Sequence, residues 1–320
     1  MHTALKLIGR RYRQAEPGDT GATRAAPTSG PTSEPMSAPM VKSIDGSTPL
    51  VLDSPHSGTV YPDDFRSCCD MAVLRTAEDT HVEKLYAFAP AMGAAWTEAL
   101  FPRSYLDANR DTLELDTGLL DAPWPLPVAT DPAVLSKVRL GKGLIWKFTD
   151  DGKPIYDRLL SVAEVQGRIA RCWAPYYASV GRAIDAAHAR HGFSVHINCH
   201  SMPAVAASHA TDFPGLQHAD FVIGDRDGST ADPRLSMRIV EFLRGCGYSV
   251  DYNHPYKGVE LVRRFGRPAE GRHSIQVEIN RKLYMDETSF GVLQPGFDAL
   301  QADLKQLVAM LSVWDGVFQA

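Results

Sequence analysis

The chain lacks most of the features that assign a protein to a class at first sight. Among 320 residues there are five cysteines, an odd number, with Cys68 and Cys69 adjacent and no CxxC pair. That excludes a disulfide-stapled secreted scaffold and a structural zinc ribbon, and it points to a reducing, cytoplasmic setting. No apolar stretch approaches the roughly 20 residues needed to cross a bilayer, so a soluble protein with no membrane partner is expected. Neither sign of charge dominates. The 33 basic and 38 acidic side chains leave a net charge of −5, and the basic run "RRYR" at residues 10–13 is short, which argues against a nucleic-acid partner. A GxSxG nucleophile elbow and a close-spaced HExxH zinc motif are also missing, and "GKG" at residues 141–143 lacks the flanking pattern of a phosphate loop.

What remains is an ordinary globular composition, 44% hydrophobic and 22% charged, on a chain long enough to bury a substantial core. Residues 15–39, "AEPGDTGATRAAPTSGPTSEPMSAP", hold almost nothing to bury, so ordering them would cost entropy without compensation. Residues 1–42 are therefore expected to be a disordered N-terminal tail; their basic start lacks the apolar core of a secretory signal. Residues 43–320 are expected to form a single α/β domain, because short apolar runs alternate with helical patterns and no internal repeat is present. "TPLVLDSPHSG" reads as a buried strand breaking into a turn, and "FSVHINCH", "ADFVIGD" and "HSIQVEIN" as further strands by their β-branched and aromatic content. Val82, Leu85, Tyr86 and Ala89 have helical spacing, with Glu78 and Asp79 at the start where the helix dipole favours acids. A long helix is expected to end at Gly192 with a bend at Pro175, and another helix closes the chain.

Polar residues recur just past the carboxyl ends of apolar strands: His56, the Asn109–Arg110 pair, His200, and Glu278 at the edge of "IQVEIN". Ligand sites of open α/β sheets form at such ends. A metal site there needs histidine and carboxylate ligands, an open position for water and a carboxylate base. His56 and His200 supply imidazoles from two strands. Asp79 is the preferred third ligand, with Glu83 and His81 as rivals. His196 shares a strand face with His200 but sits mid-strand, where a hydrogen-bonded core histidine is expected. Cys199 points to the opposite face and reads as a small buried hydrophobe, which also removes it as a nucleophile. Ser201 to Pro203 read as a turn behind His200. Glu278 between Val277 and Ile279 is costly to bury alone and must find a partner. Arg103, Arg110, Arg263, Arg264, Arg267 and Arg281 flank these positions, and guanidinium forks bind carboxylates bidentately, so a small substrate carrying carboxylates is expected. Serine catalysis from "SPHSG" or "CHSMP" is unsupported, since sequence-adjacent Ser and His do not form the required hydrogen bond.

Seven ordered blocks, "VLDSPHSGTVYPDDF", "DTHVEKLYAFA", "FPRSYLDANRD", "INCHSMP", "FVIGDRDGS", "YNHPYKGVELVRRFG" and "IQVEINRKLYM", together resemble the N-formylglutamate amidohydrolase family. The resemblance runs from about residue 49 to the closing helix. It implies a zinc carboxypeptidase-like hydrolase fold, a mixed central sheet flanked by helices on both faces, with one catalytic Zn2+. It also implies hydrolysis of N-formyl-L-glutamate to formate and L-glutamate in histidine degradation; another N-acyl amino acid or peptide-like substrate, or an inactive metal-binding relative, are the alternatives. By the same resemblance, His56, Asp79 and His200 hold zinc, Glu278 is the base, Arg110 steadies the oxyanion or clamps a carboxylate, and Asn109, Arg103, Arg264 and Arg281 bind substrate. The sequence departs from the carboxypeptidase pattern at the second ligand: Thr59 stands where the tight HxxE would place an acid.

Overall fold

The computed structural model of the chain describes residues 39–207 and 213–317. The expected tail lies outside the described residues as far as position 38; its last two positions, Val41 and Lys42, enter the first strand. Seven strands, β1 (Val41–Ile44), β2 (Leu50–Ser54), β3 (Ala95–Ala99), β4 (Ser194–Met202), β5 (Phe221–Gly224), β6 (Val250–Tyr252) and β7 (Arg272–Asn280), make one sheet in the order β1-β3-β2-β4-β7-β5-β6. The centre is parallel, with β2 on β3 and β4, and β4 on β7. β1 joins β3 and β5 joins β7 antiparallel, while β6 runs parallel to β5, so the sheet is mixed as expected. β2 and β4 are buried along their whole length, the polar positions Asp53, His196, Asn198 and His200 included.

Among the described residues, eight α-helices cover the two faces: α1 (Met71–Arg75), α2 (Val82–Leu85), α3 (Leu135–Arg139), α4 (Val162–Arg168), α5 (Ala174–His191), α6 (Pro233–Gly245), α7 (Glu260–Phe265) and α8 (Gly296–Ser312). Alternation along the strands sorts the core into two layers. Leu50, Leu52, Ile197 and Cys199 pack with residues of α2, α6 and α8. Val51, Ala95 and Ala99 pack with residues of α4, α5 and α7. No helix among the described residues is long and apolar enough to cross a membrane, and all five cysteines are free thiols.

Three local expectations are corrected. The helix expected from Val82 to Ala89 is one regular turn, α2; its four apolar positions are buried as the spacing requires, but past Leu85 the backbone goes over to tighter turns, Ala87 N–H to Lys84 O and Ala89 N–H to Tyr86 O, and into a 3-10 turn at Pro90–Met92. The helix preceding Gly192 does not merely bend at Pro175. It runs on continuously from α4 through a π-turn at Ile169–Trp173, and Pro175 follows at the start of α5. Ser201 and Met202 are not a turn: pairing of β4 with β7 continues to Met202 against Asn280, and ladder hydrogen bonds outweigh the polar character of "HSM".

Candidate active site

The carboxyl ends of β2, β3, β4 and β7 open at one edge of the sheet. The chain leaves β2 to pair on one side with β3 and returns on the other as β4, so the connections part above β2 and leave a crevice. His56 sits in the turn after β2, and Gly58 lets that turn lie against the exit of β3, since a β-carbon there would be 2.3 Å from the carbonyl oxygen of Phe101. Asp79 precedes α2, and its backbone N–H donates to His56 O at 3.0 Å, tying the two segments together. His200 comes from β4.

These three side chains meet. Nδ1 of His56 lies 3.1 Å from Nδ1 of His200, Asp79 Oδ2 lies 3.0 Å from His200 Nδ1, and it is 3.5 Å from His56 Nδ1. All three residues are buried, and the cluster could hold a metal ion. The far ring nitrogens explain the orientation: His56 Nε2–H donates to Asp107 Oδ1 at 2.6 Å, and His200 Nε2 faces Asn198 Oδ1 at 2.7 Å. With hydrogen on both Nε2 atoms, two nitrogen lone pairs and a carboxylate oxygen converge on one point with no donor among them. A cation resolves that arrangement. Metal–ligand bonds of about 2.0–2.1 Å in tetrahedral geometry place ligand atoms roughly 3.3 Å apart, close to the triangle found. Burial opposes the charge of Asp79, but His200, His56 and Arg103 outweigh it and hold the carboxyl well below its usual range.

His81 and Glu83 stand elsewhere. His81 Nε2 pairs with the carbonyl of Phe290 at 2.8 Å. Glu83 has a buried oxygen without a hydrogen-bond partner, and burial pushes its carboxyl up to about 7.

Glu278 is the register neighbour of His200 on β7, so both side chains rise from the same face of the sheet. Gln276 Nε2 donates to Glu278 Oε1 at 2.8 Å. Burial, together with the charge of Asp79, raises the Glu278 carboxyl above its ordinary value, while His200, Arg103 and Arg281 oppose the rise.

The arginines divide by what already holds them. Arg103 and Arg110 flank Asp107: Arg103 Nη2 donates to Asp107 Oδ2 at 3.3 Å, Arg110 Nε is 4.0 Å from the same oxygen, and Arg110 Nη1 donates to Glu114 at 3.4 Å. The Nε atoms of both are buried with no hydrogen-bond partner. Arg281 is turned to the protein instead, donating to Ser201 Oγ (3.1 Å), Glu78 O (2.6 Å) and Asp79 Oδ1 (3.2 Å), so it steadies Asp79. Arg264 is bound by Glu260 at 2.8 Å and Asp111 at 3.0 Å and lies over Trp173 and Tyr177. Arg263 shares Glu260 and Asp111 with it, and Arg267 donates to the carbonyl of Arg263 at 3.2 Å.

Two residues of the site escaped sequence reasoning. Asp107 also accepts from the Asn109 N–H (2.9 Å) and Trp146 Nε1 (3.2 Å), and His56, Arg103 and Arg110 overcome its burial to hold it well below the usual carboxylate range. Its signal was a second carboxylate two places before Asn109 in "LDANRD". Asn198 had none, being one of several buried polar residues in β4.

Fold and site define the class first: an α/β hydrolase that acts on an amide bond, in keeping with the named relatives of the chain. Within that class the chain belongs to the N-formylglutamate amidohydrolase family, whose model matches residues 48–285. An N-formylglutamate deformylase of Pseudomonas aeruginosa is 27% identical over 274 residues, covering 84% of this chain and 94% of its own length. One from Pseudomonas putida is 27% identical over 277 residues with the same coverage, 84% and 94%. The solved N-formylglutamate amidohydrolase of Ralstonia eutropha JMP134 is 44% identical with a TM-score of 0.80, covering 86% of this chain and 98% of that one.

Proposed function

We propose that the protein is a zinc-dependent amidohydrolase of the cytoplasm that cleaves N-formyl-L-glutamate to formate and L-glutamate, a step of histidine degradation. The observation that carries the reading is the convergence of His56 Nδ1, His200 Nδ1 and Asp79 Oδ2 within 3.5 Å of one another, with Glu278 paired in register to His200. The names of the relatives support the substrate. His56, Asp79 and His200 would hold a zinc ion, which would supply Lewis-acid polarisation and a lowered pKa for the attacking water.

The protein's own groups do the rest. Glu278, a carboxylate whose affinity for protons is raised by burial, takes one proton from water as its oxygen bonds to the formyl carbon. The same carboxyl returns the proton to the departing nitrogen as the C–N bond breaks, releasing formate and the free amino acid. Arg103 and Arg110, partly exposed beside Asp107, offer charge-assisted hydrogen bonds to a substrate carboxylate or to the oxyanion. Asn109 is beside them with its amide fixed by the backbone of α7. Arg264 edges the same side, whereas the donors of Arg281 are engaged by Ser201, Glu78 and Asp79.

A formate-release assay on N-formyl-L-glutamate, with and without a chelator, tests the reading. Activity lost on chelation and restored by zinc is expected. Faster cleavage of an N-acetyl or N-succinyl amino acid would defeat the substrate assignment, and zinc binding without any hydrolysis would defeat the enzymatic one.

A further inference from the structure

The two rings that meet at the candidate metal centre differ in what stands behind them. His56 is backed by a carboxylate. His200 is backed by amides: its Nε2 lies 2.7 Å from Asn198 Oδ1 and 3.2 Å from Asn109 Nδ2. Each amide is oriented by a second partner. Asn198 Nδ2 donates to Asp53 Oδ1 at 2.8 Å, a group that only accepts, so the oxygen of Asn198 must face His200. Asn109 Oδ1 accepts from the Leu261 N–H at 2.9 Å, so its NH2 must face His200. One ring nitrogen therefore meets an acceptor and a donor, and these favour opposite tautomers.

The choice of tautomer decides whether the site is ready. Hydrogen on Nε2, donated to Asn198, leaves the Nδ1 lone pair free beside His56 and Asp79. Hydrogen on Nδ1, with Nε2 accepting from Asn109, makes Nδ1 a donor to Asp79 Oδ2 at 3.0 Å and closes the point where a cation would sit. The balance is tipped from below. Asp53 is fully buried; its Oδ1 also receives His196 Nε2 at 2.9 Å, and its Oδ2 accepts from Tyr176 OH at 2.7 Å. His196 is pinned on its other nitrogen by Ser274 Oγ at 2.7 Å. With Asp53 held in this way, a flip of the Asn198 amide would bring two acceptor oxygens together where a 2.8 Å hydrogen bond now lies. Asn198 is thereby committed to its present direction.

We infer that Asp53, locked by His196 and Tyr176, is a positioning residue that acts through Asn198 to hold His200 with its hydrogen on Nε2, and so sets the affinity of the centre for its cation. The inference rests on the reading of His56, Asp79 and His200 as metal ligands.

The test is zinc affinity of the full chain, measured by competition with a chromophoric chelator. Asn198→Ala removes the acceptor and leaves the opposing donor of Asn109 in place, and the dissociation constant should rise about 10- to 100-fold. The double variant Asn198→Ala/Asn109→Ala removes the opposing donor as well and should recover most of that loss, which a packing defect at position 198 would not do. Unchanged affinity in Asn198→Ala, or a loss that the double variant leaves in full, overturns the inference. Should the variants fail to fold, two-bond proton–nitrogen spectra of the metal-stripped wild type decide it: hydrogen on Nε2 of His200 supports the assignment, and hydrogen on Nδ1 overturns it. A wild type that binds no zinc defeats the metal-site reading itself, whereas equal zinc binding by wild type and Asn198→Ala defeats this inference alone.

Discussion

Replacing Asp107 by asparagine isolates the charge behind His56 from the shape of the site. Asp107 is fully buried, accepts from His56 at 2.6 Å, and also serves the Asn109 N–H, Trp146 and Arg103. Asparagine keeps the volume and one oxygen that can still accept from His56, so the ring should stay in place. What disappears is the charge. A hydrogen bond to a charged group contributes about 1.5–3 kcal/mol against 0.5–1.5 for a neutral one, and the difference, roughly 1.4 kcal/mol, is tenfold in an equilibrium constant. Zinc binding should weaken about tenfold. Stability should fall too, because the new NH2 group faces the donors of Trp146 and Arg103; breaking a buried ion pair costs about 3 kcal/mol or more. The pH dependence follows from the depressed carboxyl of Asp107: burial opposes its charge, but His56, Arg103 and Arg110 prevail. A lowered folded pKa confers stability that is present above the unfolded value of about 3.9 and lost as pH falls below it. The gap in melting temperature between metal-stripped wild type and Asp107→Asn should therefore be wide near pH 7 and narrow steadily below about pH 4. Chelator competition and thermal denaturation across pH give both numbers. Zinc affinity within twofold of wild type, or a gap that does not narrow in acid, would refute the reasoning.

Glu278→Gln should retain zinc by elemental analysis yet release formate about 10²- to 10⁴-fold more slowly; normal turnover removes Glu278 as the base. His200→Ala should instead lose the metal, and a variant that keeps a full equivalent of zinc contradicts its role as ligand. Glu83→Gln should stabilise the protein at neutral and basic pH. Burial holds that carboxyl up to about 7, and a raised folded pKa means stability that is full below the unfolded value of about 4.3 and lost as pH rises towards 7. The variant should thus melt above wild type near pH 8 and level with it near pH 4, by at most on the order of 3 kcal/mol, with zinc content unchanged. Arg103→Ala should raise KM for a dicarboxylate substrate more than it lowers kcat, and an equal fall in both constants would place the guanidinium in the transition state instead.

What could be read from the residues alone was set by range. The central strands were legible because burial on both faces leaves an apolar run such as "LVL" in β2 and the β-branched and apolar residues of "IQVEI" in β7. His56 and Asp79 were legible from their places at a strand exit and a helix start, and the seven blocks supplied the family. Asp107 was not, because an aspartate in "LDANRD" is indistinguishable from turn chemistry; its partner His56 lies 51 positions away. Asn198 was hidden for the opposite reason: a lone amide in a buried strand signals only that some partner exists, and Asp53 lies on another strand. The turn expected at Ser201–Pro203 failed because local polarity was weighed without β7, whose ladder carries β4 on to Met202. Arg281 shows the limit for charged groups, since proximity to strand ends did not reveal that its donors are taken by Ser201, Glu78 and Asp79.

The extension of β4 beyond His200 has a kinetic side. His200 is paired in register with Glu278, and the ladder continues past it to Met202, so its backbone is held as firmly as the centre of the sheet. His56 and Asp79 belong to connecting segments, joined to one another by a single backbone hydrogen bond of 3.0 Å. The centre is a vice with one fixed jaw and one sprung jaw. Release of an ion held there would need only the His56–Asp79 side to give way, breaking the bonds of His56 to Asp107 and of Asp79 to Arg281 but none of the β4–β7 ladder.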